Sequence, residues 1–175
     1  MNVEETKRIL GVAKQLQDEA NTYSLPPEEI IPTRRSDILV YSLFENTRDC
    51  IKKIVSQINK CYAEGCYDAC AVMIRRLVEV LTIETFDAKR MIGKIKDAND
   101  NFFFLEELIN KMLEEKSLNL SRHTKNALKK KEIKTVGDQS AHGRYYNAYR
   151  QYIDEIKTDL RIITNELLCL SGLKK

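Results

Sequence analysis

"YRQYIDEIKTDLRIITNELLCL", residues 149–170, is the stretch that decides the fold class. Apolar side chains recur along it in alternating steps of four and three, at Tyr149, Ile153, Ile156, Leu160, Ile163, Leu167 and Leu170. This spacing places them on one face of an α-helix, as a seam that packs lengthwise against another helix. The seam fits a contact inside the domain and equally a contact between two copies of the chain. We therefore predict a long final helix over residues 145–171.

Helical patterns also fill most of the remaining chain. The three prolines all lie between positions 26 and 32, and the six glycines leave long stretches without a breaker. The apolar spacing predicts further helices over residues 3–23, 37–64 with Asp37 as its cap, 67–86, 101–116 and 121–136. The β-branched end of the stretch over 67–86 also fits a strand, but the length of the stretch favours a helix. The sequence predicts an all-α fold, an antiparallel bundle of five to six helices.

The prolines also suggest where the chain divides. Residues 1–36 are predicted to form an N-terminal helix and a proline-containing linker, and residues 37–175 the helical bundle. A chain of 175 residues is long enough to bury a core without disulfides. Its first residues, "MNVEETKRIL", are charged where a signal peptide is apolar, so we expect a cytoplasmic protein with reduced thiols. No apolar run approaches the roughly 18 residues that span a membrane.

Two clusters have a structural and a chemical interpretation. Cys61, Cys66 and Cys70 have a spacing that offers thiolates to a metal, but no second Cys/His pair follows. We therefore predict cysteines that pack as small apolar residues, with no metal and no cofactor. The three phenylalanines at 102–104 offer rings on which bases stack, but the apolar stripe that follows them favours core packing.

Charged residues define the candidate site. Arg75 and Glu79 lie one helical turn apart, which fits a solvated ion pair or a partly buried pair that orients a polar site. Residues 116–144 carry eight basic and two acidic side chains, whereas the whole chain has a net charge of only +3. Within this basic stretch we select as ligand-binding candidates, in addition to Arg75 and Glu79, the residues Lys129, Lys130, Lys131, Lys134, Asp138 and Arg144.

The basic stretch leads into "TVGDQSAHGRYY", residues 135–146, where His142 is the candidate catalytic residue. We expect Gly137 to turn the chain and Asp138 or Ser140 to cap the final helix. His142 would then lie in the first turn of that helix, with hydrogen bonds toward Glu79. A histidine in this position serves either as a structural anchor or as a general base.

The stretches "YAEGCYDACAVMIRRLVEVL" and "KTVGDQSAHGRYYNAYRQYI" resemble the HEPN-like prokaryotic helical domains of unknown function, which recur beside restriction and phage-defence proteins. The resemblance covers about residues 40–170. Asp138 stands where that group usually has asparagine. The residues that carry the resemblance are Gly65, Tyr67, Ala69, Arg75, Glu79, Gly137, Ala141 and His142.

The resemblance implies a helical bundle, a homodimer, and in many members a metal-independent ribonuclease in which four to six residues separate an arginine from a following histidine. Here Thr135, Val136 and Gly137 occupy the positions where that arginine would lie upstream of His142. The sequence therefore favours a non-catalytic RNA- or nucleotide-binding and dimerisation module, in a defence or toxin–antitoxin setting that the resemblance alone implies. The alternative is a divergent ribonuclease that uses His142 as its base, with Lys134 or Arg144 as the cation.

Overall fold

The computed structural model describes residues 36–174, together with Gly11 and Lys14. The chain divides into two compact units, Met1–Ile31 and Pro32–Lys175. In the first unit Gly11 and Lys14 are helical. The other residues of the helix predicted over 3–23, and the proline-containing linker up to residue 35, lie outside the described residues.

The second unit is helical, which confirms the predicted all-α class. Between residues 36 and 174 there is no strand, and the sole β-type contact is an isolated bridge between Lys96 and Phe102. Short 3-10 turns lie at Tyr41–Phe44, Ile92–Ile95 and Lys116–Leu118. The α-helices of this unit are α1 Asp49–Ala63, α2 Tyr67–Ala88, α3 Leu105–Glu114, α4 Arg122–Lys130, α5 Glu132–His142 and α6 Arg150–Leu170.

Helix α2 is the centre of the bundle, because α1, α3, α5 and α6 all pack against it. Its buried residues extend from Cys70 to Phe86 and lie on more than one face of the helix. A helix that is covered on several sides has apolar residues all round, and this explains its long β-branched run. The prediction of a helix over 67–86 is therefore correct, and the chain gives no strand there.

Helix α6 begins at Arg150, five residues later than predicted, and is the second longest helix after α2 among the described residues. Its seam is filled within the unit: Ile153, Leu160 and Leu167 have 0% of their surface exposed. The side chains that cover the seam come from α2 and α4. Of the two alternatives that the sequence left open, the seam is the internal contact.

The prediction of a helix from Asp37 to Glu64 is wrong at the N-terminal end, since α1 begins at Asp49. The carboxamide of Asn59 accepts hydrogen bonds from the backbone N–H groups of Ile38 and Leu39, at 2.9 and 3.0 Å. It also donates to the carbonyl of Leu39 at 2.9 Å. This buried side chain satisfies three backbone groups of Ile38 and Leu39, so these two residues pack in the core without α-helical bonds.

The predicted basic helix over 121–136 is two helices. Lys131 adopts a left-handed backbone conformation, with φ of 58°, between α4 and α5. Such a residue ends one helix and redirects the chain into the next. Helix α5 then continues to His142, well beyond the predicted end at 136.

The helix predicted over 101–116 begins only at Leu105. The three phenylalanines before it do not share one environment: Phe102 and Phe104 are 44% and 79% exposed, and Phe103 packs against the core. The prediction that all three rings are core residues is therefore wrong for Phe102 and Phe104. They lie in the extended approach to α3, where side chains alternate between opposite faces.

Candidate functional site

Gly137 sets the geometry of the site by letting α5 approach α2 closely. A Cβ atom at this position would lie 2.6 Å from the Cβ of Arg75 and 3.2 Å from the carbonyl oxygen of Ala71. The prediction that Gly137 turns the chain is wrong, because it lies inside α5. The glycine is needed for the absence of a side chain rather than for an unusual backbone angle.

The close approach brings charges from the two helices together. Arg75 on α2 donates from Nε to Oδ1 of Asp138 on α5 at 2.6 Å, and its guanidinium lies 3.5 Å from Glu79. The other oxygen of Asp138 lies 3.1 Å from Nζ of Lys134. The side chains of Arg75 and Asp138 are 25% and 30% exposed, so solvent screens their pair only in part. Asp138 therefore joins α5 to α2 and does not cap the final helix as predicted.

Glu106, in the first turn of α3, extends this network. Its carboxylate accepts hydrogen bonds from Lys131 at 2.7 Å and from Lys134 at 3.0 Å. The two ammonium groups lower the pKa of Glu106 to about 2, and Glu106 and Asp138 raise the pKa of Lys134. The result is a chain of alternating charges that links α2, α5 and α3.

A shallow pocket of about 290 Å³ lies beside this network and brings several predicted site residues together. Its polar lining contains two cations and two carboxylates, which balance each other at neutral pH. The ring of Phe104, 79% exposed, lies at its edge. The lining residues are Arg75, Phe104, Leu105, Glu106, Lys134, Asp138 and His142.

His142 lies in the last turn of α5, so the prediction that it begins the final helix is wrong. Its side chain is exposed, and it forms no hydrogen bond or ion pair with any residue between 36 and 174, Glu79 included. It is therefore not the hydrogen-bonded anchor that the sequence suggested. An exposed imidazole at the edge of a pocket is available to a ligand.

The connection between α5 and α6, residues 143–149, presents cationic and aromatic groups to solvent. The guanidinium of Arg144 lies 5.2 Å from the ring centre of Tyr145, which is 85% exposed. Tyr149 is 62% exposed and meets the ring of Tyr152 edge-on at 5.9 Å. The sequence patterns assigned Phe104 to the core and Tyr149 to the apolar seam of the final helix, and both assignments are wrong because both rings are exposed. Tyr145 was missed, although it lies outside the predicted apolar seam.

The predicted basic residues are not equally available. Lys130 pairs with Asp159 at 2.7 Å, which raises the pKa of Lys130, and Lys131 and Lys134 pair with Glu106. Lys129 is exposed and has no ion-pair partner in the part of the chain that the structure describes. Three of the four lysines that the sequence selected therefore already contact carboxylates.

The cysteines are all free thiols, and no group of three potential metal ligands occurs among the described residues. Cys70 is buried, and burial raises the pKa of its thiol to about 12. No helix in the described part of the chain is long and apolar enough to cross a membrane. Comparison with known proteins finds no matching family model, no matching curated protein and no matching solved structure.

Proposed function

We propose that the unit from residue 36 onward is a non-catalytic module that binds single-stranded RNA. The observation that carries the proposal is the exposure of Tyr145 and Tyr149 beside Arg144 and His142. Each of these exposed rings offers a stacking surface for a base. Arginine adds a planar cation that pairs with phosphate or stacks on bases.

The charge balance of the pocket supports binding over catalysis. A ribonuclease of the kind that the resemblance implies needs a cation to hold the phosphate charge that develops during cleavage. Arg75 and Lys134 line the pocket of His142, but both already contact Asp138. The balance of positive and negative charge in the pocket also disfavours binding of a mononucleotide phosphate there. An extended RNA strand would instead bind to the exposed rings of residues 143–149.

The decisive experiment measures binding of a labelled RNA of about 12 nucleotides by fluorescence anisotropy. Replacing Tyr145 and Tyr149 by alanine together should weaken binding at least about tenfold, since base stacking on a ring contributes about 1–3 kcal/mol. The matched control replaces both by phenylalanine, which keeps the rings and should keep the affinity. If the double alanine variant binds the RNA as tightly as the wild-type protein does, the proposal is wrong.

The ribonuclease alternative is tested with the same RNA. We expect no cleavage by the wild-type protein in the presence of a chelator. Metal-independent cleavage that disappears in His142→Ala, with RNA affinity retained, would replace the binding module by an enzyme. The exposed position of His142 at the pocket edge is the observation that keeps this alternative in the test.

We also propose that the protein is a homodimer, because the resemblance to HEPN-like domains implies one. Because the seam of α6 is filled inside the unit, the twofold contact would use another face of the bundle. Light scattering at high micromolar concentration should give twice the mass of the chain. A mass equal to that of one chain would contradict the homodimer, and a single copy of the chain would then be the unit that binds RNA.

A further inference from the structure

The turn between α1 and α2 carries two cysteines in a defined geometry. Helix α1 ends at Ala63, and Gly65 after it adopts the left-handed conformation, with φ of 76°. The N–H of Cys66 donates to the carbonyl of Cys61 at 2.8 Å, and the N–H of Gly65 to that of Tyr62 at 3.3 Å. These two bonds form a Schellman motif, in which the residue after the glycine folds back beside the third-last residue of the helix. In this chain, both of those residues are cysteines.

The two thiols are close enough to affect each other. Burial raises the pKa of the half-buried Cys61 thiol, and the neighbouring Cys66 thiol raises it further. Cys66 is exposed to solvent and both thiols are free. Cys66 is therefore accessible to an oxidant, and Cys61 lies next to it as a second thiol.

We propose that Cys61 and Cys66 form a reversible disulfide across the α1–α2 turn, with a small disulfide such as oxidised glutathione as the oxidant. The Cys66 thiolate attacks one glutathione sulfur, breaks the glutathione S–S bond and releases one glutathione thiol. The Cys61 thiolate then attacks the Cys66 sulfur and releases the second glutathione. The two cysteines lose two protons and two electrons, and oxidised glutathione is reduced to two glutathione molecules.

Cys70 is the competing partner, because it also lies near Cys61. Its thiol is buried and lies 3.5 Å from the carbonyl oxygen of Ile58, and burial raises its pKa to about 12. A thiol of this kind is almost entirely protonated at neutral pH and reacts poorly. Cys50 and Cys169 lie on the first turn of α1 and the last turn of α6, so they serve as exposed control thiols.

The test treats the full chain with oxidised glutathione, blocks remaining thiols with iodoacetamide, and analyses the peptides by mass spectrometry. Cleavage after Glu64 and Asp68 separates the three cysteines of this region. The expected product is a Cys61–Cys66 cross-link that lies about 2 Da below the two free peptides and is reversed by dithiothreitol. Circular dichroism before and after treatment shows that the reaction takes place in the folded protein.

Three variants make the result specific. Cys61→Ser removes the second thiol, so Cys66 should keep one glutathione and gain about 305 Da. Cys70→Ser and Cys50→Ser should form the cross-link as the wild type does. A wild-type protein in which Cys66 keeps its glutathione while Cys61 is alkylated would overturn the proposal. A Cys61–Cys70 cross-link would overturn it equally, and neither outcome affects the proposal of RNA binding.

Discussion

The interface between α2 and α5 and the connection between α5 and α6 contain the same kinds of residue and use them differently. In the interface Arg75 and Lys134 both contact Asp138, so their charges are neutralised inside the protein. In the connection the guanidinium of Arg144 lies 5.2 Å from the ring centre of Tyr145, has no ion-pair partner among residues 36–174, and remains exposed, as does the ring. Internal pairing therefore decides which cations of a basic stretch are available to a polyanion.

The largest expected effect comes from Gly137→Ala, which tests whether the interface depends on close approach. The new methyl group would lie 2.6 Å from the Cβ of Arg75, close to the α2 backbone, so α5 must move away. Overpacking costs about 1–3 kcal/mol, against a gain of up to about 1 kcal/mol in helix propensity. We expect the free energy of unfolding in urea to fall by about 1–2 kcal/mol.

Gly93→Ala is the matched control, since a Cβ there meets no atom within 4 Å. Its free energy of unfolding should stay within about 0.5 kcal/mol of the wild type. If Gly137→Ala is as stable as this control, the interface is not limited by the approach of the two helices.

Asp138→Ala separates the two regions most directly, because it should lower stability and raise RNA affinity. Arg75 and Lys134 would lose the carboxylate that they share, and loss of a charge-assisted hydrogen bond costs about 1–2 kcal/mol. The same two cations would become available to phosphate, so affinity for RNA should rise a few-fold at low salt. Urea unfolding and fluorescence anisotropy measure the two effects.

Arg144→Ala is the control in the other region and should give the opposite pattern. Its guanidinium lies over an exposed ring and forms no ion pair in the described part of the chain, so the free energy of unfolding should change by less than about 0.5 kcal/mol. Affinity for RNA should fall. If Asp138→Ala weakens RNA binding as Arg144→Ala does, the pocket itself contacts the RNA through Asp138.

The basic stretch offers a finer comparison, between Lys129 and Lys134. Lys129 is exposed without an ion-pair partner in residues 36–174, whereas Lys134 contacts Glu106 and Asp138. Lys129→Ala should reduce the slope of log affinity against log salt by about 1, as expected for one phosphate contact. Lys134→Ala should change the slope much less. Equal changes would show that the ion pairs of Lys134 open when RNA binds.

Sequence periodicity predicted the parts of this fold whose burial follows a regular helical pattern. The apolar seam of α6 is buried in register from Ile153 to Leu167, and the long run of α2 is buried from Cys70 to Phe86. Both helices lie within a few residues of the prediction, although Tyr149, the first residue of the predicted seam, is 62% exposed. The segment before α1 is also apolar, but its backbone is held by the distant side chain of Asn59. No local pattern carries that information.

The charged residues of the candidate site could be predicted from the sequence, but their arrangement and the exposed aromatic rings could not. The spacing of Arg75 and Glu79 predicted their pair, which the structure places at 3.5 Å. The role of Gly137 required knowledge that α5 packs against α2, since glycine in a sequence more often indicates a turn. The break at Lys131 also left no signal, because it is a non-glycine residue in a left-handed conformation.

The smallest expected effect concerns acid stability and the pair of lysines on Glu106. In the folded protein Lys131 and Lys134 lower the pKa of Glu106 from 4.5 to about 2. A lowered pKa in the folded state stabilises the fold fully above pH 4.5, and this contribution disappears as the pH falls toward 2. Glu106→Gln lacks the contribution at every pH, so the stability difference between wild type and variant should shrink as the pH falls through this range.

Urea unfolding at several pH values measures this difference in the free energy of unfolding. Glu107→Gln is the control, because Glu107 has no ion-pair partner among residues 36–174. A difference that stays constant down to pH 2 would show that the two lysines do not hold Glu106 in solution, and the interface would then be less completely neutralised than its geometry indicates.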